Sequence, residues 1–134
     1  MRQYIGTKII HAEPMEKNGR EGYKVVYAPD GYESWSPKDV FEDAYRQTDG
    51  MNFGLAIEAA KMGKKIARAG WNGKNQYAEL ASCISYKNNA DEIVNVEHCN
   101  IGNKALAFVG TSGVQMGWLA SQADMLADDW RIVE

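Results

Sequence analysis

Two stretches of this chain each carry their own run of patterned elements. In the first, Tyr23-Lys24-Val25-Val26-Tyr27 is β-branched and aromatic, Pro29-Asp30-Gly31 supplies turn chemistry, and Tyr32-Glu33-Ser34-Trp35 returns with alternating aromatics. That pattern predicts a hairpin. Ser36 fits the N-cap and Pro37 the first position of a helix in which Val40, Phe41, Ala44 and Tyr45 recur at helical spacing. The helix ends near Arg46, and Gln47-Thr48-Asp49-Gly50 reads as a loop.

Met51 opens the second stretch. Asn52 is a good N-cap, and Phe53, Ala56, Ile57 and Ala60 follow the spacing of a helix with one buried face, closed by Gly63. Lys65-Ile66-Ala67-Arg68 and Gln76-Tyr77-Ala78-Glu79-Leu80-Ala81 flank a glycine-rich turn and read as two antiparallel strands. Ser85 to Lys104 is polar and weakly patterned, a long loop with one strand at Glu92 to Val96. Leu106-Ala107-Phe108-Val109 is a further strand and Gly110-Thr111-Ser112-Gly113 a turn. Ser121 then caps a short helix through Ala127, and a last strand runs from Trp130 to Val133. The fold class is α+β: a mainly antiparallel sheet with short helices packed on one face. Residues 1–50 form a β-β-α extension and residues 51–134 the main domain.

Composition narrows the function classes. The chain has 134 residues, 45% hydrophobic and 25% charged, which suits a globular protein of ordinary size. Its start lacks an apolar signal core and no run approaches the roughly 18 apolar residues of a membrane helix, so a cytoplasmic location without membrane association is expected. A net charge of −3 lacks the basic excess that binding a nucleic acid polymer demands. Cys83 and Cys99 form no Cys-x-x-Cys pair and read as buried small hydrophobes. His98 beside Cys99, with His11 as the other histidine, makes too thin a ligand set for a metal. No cofactor is called for.

Enzyme signatures are also missing. Gly110-Thr111-Ser112-Gly113 has the wrong spacing for a nucleophile elbow, and Lys74 follows the wrong glycine pattern for a phosphate-cradling loop. Two histidines supply few bases near neutrality, and the carboxylates from Asp124 to Asp129 fall on capping and solvated positions. The chain reads as a binding protein that breaks no bond.

Two polar-aromatic clusters carry the candidate chemistry. In Arg68-Ala69-Gly70-Trp71-Asn72-Gly73-Lys74 a tryptophan sits on a glycine-flanked turn beside an amide and two cations. Trp71 can stack on a base, Asn72 can bond a base edge or ribose, and Arg68 or Lys74 can face a phosphate. From the residues alone the favoured reading is that Trp71 simply closes the core beside a tight turn. In the second cluster, Trp118 to Trp130, Ser121 and Asp124 read first as a capping-box variant. The alternative is a helix terminus at which Ser121 and Gln122 line an anion site and Asp124 accepts from ribose hydroxyls.

These residues resemble the second Thoeris anti-defence family of phage proteins. The resemblance lies in Phe53-Gly54-Leu55-Ala56-Ile57-Glu58-Ala59 with Gly63 to Arg68, in Gly70-Trp71-Asn72-Gly73-Lys74, and in Trp118 to Trp130, the two ends of residues 51–134. It implies a host-cytoplasmic sponge that sequesters cyclic ADP-ribose isomers made by immune enzymes, and in some members cyclic dinucleotides. It also implies a homotetramer with pockets between subunits. On that reading Arg68, Trp71, Asn72, Lys74, Trp118, Ser121, Gln122 and Asp124 bind the ligand, with no catalytic residue and no metal. The runner-up is a structural or protein-binding phage module in which both tryptophan clusters are core; a nucleotide-processing hydrolase comes third.

Overall fold

The computed structural model describes residues 1–71, 75–94 and 104–134. The chain divides into two compact units, Met1–Gln47 and Thr48–Glu134.

In the first unit three antiparallel strands lie in the order β1 (His11–Pro14), β2 (Gly22–Val26), β3 (Glu33–Pro37), followed by α1 (Lys38–Ala44). The β2–β3 hairpin forms where the aromatic alternation places it. Its turn closes with Tyr27 N donating to Tyr32 O and Gly31 N to Tyr27 O, both at 2.9 Å. Two features differ from expectation. Strand β1 is four residues long and exposed along its whole length, too short a pattern to betray it. Ser36 and Pro37 also do not open the helix: they pair with Tyr23 and Gly22 as the end of β3, and α1 starts at Lys38 without a side-chain cap. Because β3 is an edge strand, Pro37 can end it without costing the sheet a ladder bond. Tyr23, Phe41 and Tyr45 stack in sequence at 4.2 and 4.9 Å, and the Tyr23 hydroxyl donates to Glu42 at 2.5 Å. That bond and the Glu42 charge raise the Tyr23 pKa.

The second unit is a five-stranded antiparallel sheet in the order β10-β4-β5-β8-β9, with ranges β4 Lys65–Arg68, β5 Tyr77–Ala81, β8 Ala105–Gly110, β9 Gly113–Met116 and β10 Trp130–Val133. Helix α2 (Phe53–Lys61) packs against β10, β4 and β5. The Asn52 side chain caps it by accepting from Leu55 N at 2.9 Å. Gly63, at φ +89°, ends it in the left-handed region that glycine adopts without a Cβ clash. Ala56, Ala59 and Ala60 form its buried face and bring the helix close to Ile66, Ala78 and Trp130, which are fully buried. Deleting Trp130 from a core this small would cost about 3 to 5 kcal/mol.

The sheet closes at its start: Met51 exchanges backbone bonds with Trp130 at 2.7 and 3.0 Å, and Ile132 N donates to Thr48 O at 2.8 Å. Strand β9 forms where no strand was expected, its exposed residues pairing with β8. The strand expected at Glu92 to Val96 is present as β7 (Ile93–Val94), and it pairs with an unexpected β6 (Tyr86–Lys87) in a small hairpin; residues 95 and 96 lie outside the described residues. Cys83, expected in the core, is exposed, because it falls in the bend just past the end of β5. His98 and Cys99 also lie outside the described residues. Among the described residues, no helix is long and apolar enough to cross a membrane.

Candidate ligand-binding site

The site grows from the pairing of β4 with β10. Their register sets Arg68 opposite Trp130, which brings Asp129, one residue earlier, beside the turn that leaves β4. Ala69 N donates to Asp129 O at 3.1 Å, Gly70 N to Asp129 Oδ2 at 2.9 Å, and Arg68 Nε to Asp129 Oδ1 at 2.8 Å. On the other side stands α3 (Gln122–Met125), whose N-cap Ser121 forms a reciprocal capping box. Asp124 N donates to Ser121 Oγ at 3.1 Å, and Ser121 N donates to Asp124 Oδ2 at 3.2 Å. That second bond turns the carboxylate so that Oδ1 faces the β4 turn. There it accepts from Arg68 Nη1 at 2.9 Å and from Trp71 Nε1 at 3.1 Å. The Asp124 carbonyl accepts from Trp130 Nε1 at 2.8 Å.

Around this polar knot lies an aromatic wall. Trp71 meets Phe108, Trp118 and Trp130 edge-on at 5.2, 5.8 and 5.3 Å, and Phe108 stacks on Trp118 at 5.9 Å. Edge-to-face contacts of this kind add to what area burial alone provides. Gly117 N and Trp118 N both donate to Leu106 O, at 3.0 and 2.9 Å, so β8 sets where Trp118 stands.

One guanidinium against two carboxylates leaves the knot one charge negative. Burial pushes the Asp124 carboxyl upward, but the bonds from Arg68, Trp71 and Ser121 outweigh it and hold the group below the usual carboxylate range. The Arg68 bond holds Asp129 low, opposed by partial burial and reinforced by Gly70 N. The Asp129 and Asp124 bonds in turn raise the Arg68 pKa.

The structure thus brings together Arg68, Trp71, Trp118, Ser121 and Asp124. Gln122 is exposed on α3, with its amide directed to Met125 Sδ at 3.8 Å. Asn72 and Lys74 lie outside the described residues. Three participants escaped sequence reasoning: Asp129, Phe108 and Trp130. Asp129 was expected to be solvated, and it is instead tied to Arg68 and Gly70 because strand pairing, which no local pattern reveals, sets it there.

Chemically, the arrangement offers aromatic surface next to ionised acceptors and a guanidinium with Nε and Nη1 already committed.

Both clusters lie within residues 51–133, which match the family model described as the Thoeris anti-defense 2-like domain. A protein of Bacillus phage SP01 named Thoeris anti-defense 2 is 36% identical over 88 residues, covering 62% of this chain and 94% of the phage protein. With the Arg68 turn, the Asp124 cap and the Trp130 strand all inside the matched region, this chain belongs to the Thoeris anti-defense 2-like family.

Proposed function

We propose that the chain is a phage anti-defence protein that sequesters a cyclic nucleotide immune signal, a cyclic ADP-ribose isomer or a cyclic dinucleotide, without degrading it. The observation that carries this reading is the convergence of Arg68 and Trp71 on one oxygen of Asp124, beside the Trp118–Phe108 wall and inside the family-matched region. Trp71 and Trp118 offer ring surface for a base, and the Asp124–Ser121 side accepts from hydroxyls. Asn72 and Lys74, on the same turn in the sequence, supply base-edge and phosphate contacts.

Holding rather than cleaving is supported by the electrostatics. Asp124 and Asp129 are kept ionised by Arg68, so neither is a base tuned near neutrality. A homotetramer with shared pockets in the host cytoplasm completes the reading. It is supported by the apolar residues Val114, Met116, Leu119 and Leu126, which stay exposed on and beyond edge strand β9 of a single chain.

The test is a melting curve against a panel of cyclic nucleotides. A ligand at about 100 times its Kd adds about 2.7 kcal/mol, a readily seen rise in Tm. The second reading, a structural or protein-binding module, is favoured by the edge-on packing of Trp71 on three aromatics. It requires that no member of the panel move the Tm.

A further inference from the structure

We propose that Asp129 is a positioning residue: it fixes the turn that presents Trp71, and so sets ligand affinity. This rests on the sequestration reading above. The Asp129 carboxylate accepts from Arg68 Nε and Gly70 N at 2.8 and 2.9 Å, and its backbone carbonyl accepts from Ala69 N at 3.1 Å. Trp71 N then donates back to Arg68 O at 3.3 Å, which closes the turn. A Cβ on Gly70 would lie 3.1 Å from Asp129 Oδ2 and 3.4 Å from Arg68 Nη2, so the Asp129–Arg68 contact would have to shift to admit it. The backbone leading into Trp71 is therefore held by Asp129, and the indole itself by Asp124.

Division of labour between the two carboxylates follows from that geometry. Asp124 sits against the indole, where a ligand stacking on Trp71 or Trp118 comes within reach. Asp129 closes the turn through Arg68 Nε and Gly70 N, one residue before the fully buried Trp130. A ring held in place before the ligand arrives loses less freedom on binding, so the contacts that fix the turn act on affinity. It also divides the Arg68 guanidinium between two carboxylates, which keeps Nη1 aimed at Asp124.

Two variants test this in the full chain with a cyclic ADP-ribose isomer as the probe. Asp129→Asn keeps the shape and an acceptor but removes the charge facing Arg68. Gly70→Ala crowds the same contact from the other side and keeps both charges. Capture is measured by calorimetry, and the turn is followed separately by hydrogen exchange of the peptide containing Gly70.

In each variant we expect at least tenfold faster exchange in that peptide and roughly tenfold weaker capture, about 1.4 kcal/mol. Combined with Trp71→Phe, either change should cost less than the product of the separate losses, since both act through one ring. A purely structural role would leave capture unchanged, or give losses that multiply in full, and either result overturns the proposal. If Asp129→Asn does not fold, Gly70→Ala decides alone. Absence of capture by the unaltered protein overturns the sequestration reading and the affinity role of Asp129 with it, whereas capture that the variants leave intact overturns only the latter.

Discussion

Trp71 donates its indole N–H to Asp124 Oδ1 at 3.1 Å across 53 positions of sequence, and this bond joins the strand half of the site to its helix half. Asp124→Ala would orphan that half-buried donor and open the Ser121 capping box. An orphaned donor costs about 1 to 2 kcal/mol, and each kcal/mol lowers the Tm of a unit this size by roughly 4 to 8 °C. The expected result is a cooperative melt displaced downward by several degrees. An unchanged Tm would show that the bond contributes nothing.

Acid should act through the same groups. Asp124 and Asp129 are both held below the ordinary carboxylate pKa of about 3.9 in the folded chain. A carboxyl with a depressed folded pKa contributes stability that is fully present above its unfolded pKa and is lost as pH falls through the folded one. The melting temperature should therefore lose this contribution only below about pH 4. Combining Asp124→Asn with Asp129→Asn should flatten that acid limb. An equal fall in the double variant would place the acid sensitivity elsewhere.

Truncation distinguishes two start points three residues apart. Thr48 O accepts from Ile132 N on edge strand β10, while Met51 exchanges two backbone bonds with Trp130. A chain beginning at Thr48 should melt cooperatively. One beginning at Met51 should also fold but at a lower Tm, having lost the Ile132 partner. Failure of both to melt cooperatively would show that residues 48–134 depend on the preceding unit.

Self-association is the expected state in solution. Light scattering at micromolar concentration should give four times 14.9 kDa, about 60 kDa. Leu119→Glu with Val114→Lys, at positions 88% and 62% exposed in the single chain, should lower that mass. A monomeric mass for the unaltered protein would remove the shared-pocket arrangement.

Much of this was legible in local pattern. The Asn52 cap, the burial of Ala56 and Ala60 on α2, the Gly63 stop and the Ser121–Asp124 capping box all depend on residues within one or two turns of each other, and each formed where the spacing placed it, though Ala59 joins the buried face in place of Phe53 and Ile57, which are half-buried. What stayed hidden depends on register. Nothing near Asp129 in the chain says that it meets Arg68, because the pairing of Trp130 with Arg68 decides it. Strands β1 and β9 stay hidden because each is only four residues long and exposed throughout, too short for its alternation to stand out from a loop. At Pro37 the converse holds: a local helix signal yields to continued pairing with β2.

The central claim, capture without turnover, is tested most directly by recovering the ligand. An excess of the protein is incubated with a cyclic ADP-ribose isomer, the filtrate is assayed, and the retained protein is then denatured by heat and its contents analysed. Ground-state complementarity without an activated nucleophile predicts that the ligand vanishes from the filtrate and returns intact, in nearly stoichiometric amount, on denaturation. Linear ADP-ribose in excess of the protein present would mean turnover and contradict the account, and full recovery of the ligand in the first filtrate would mean that it was never held.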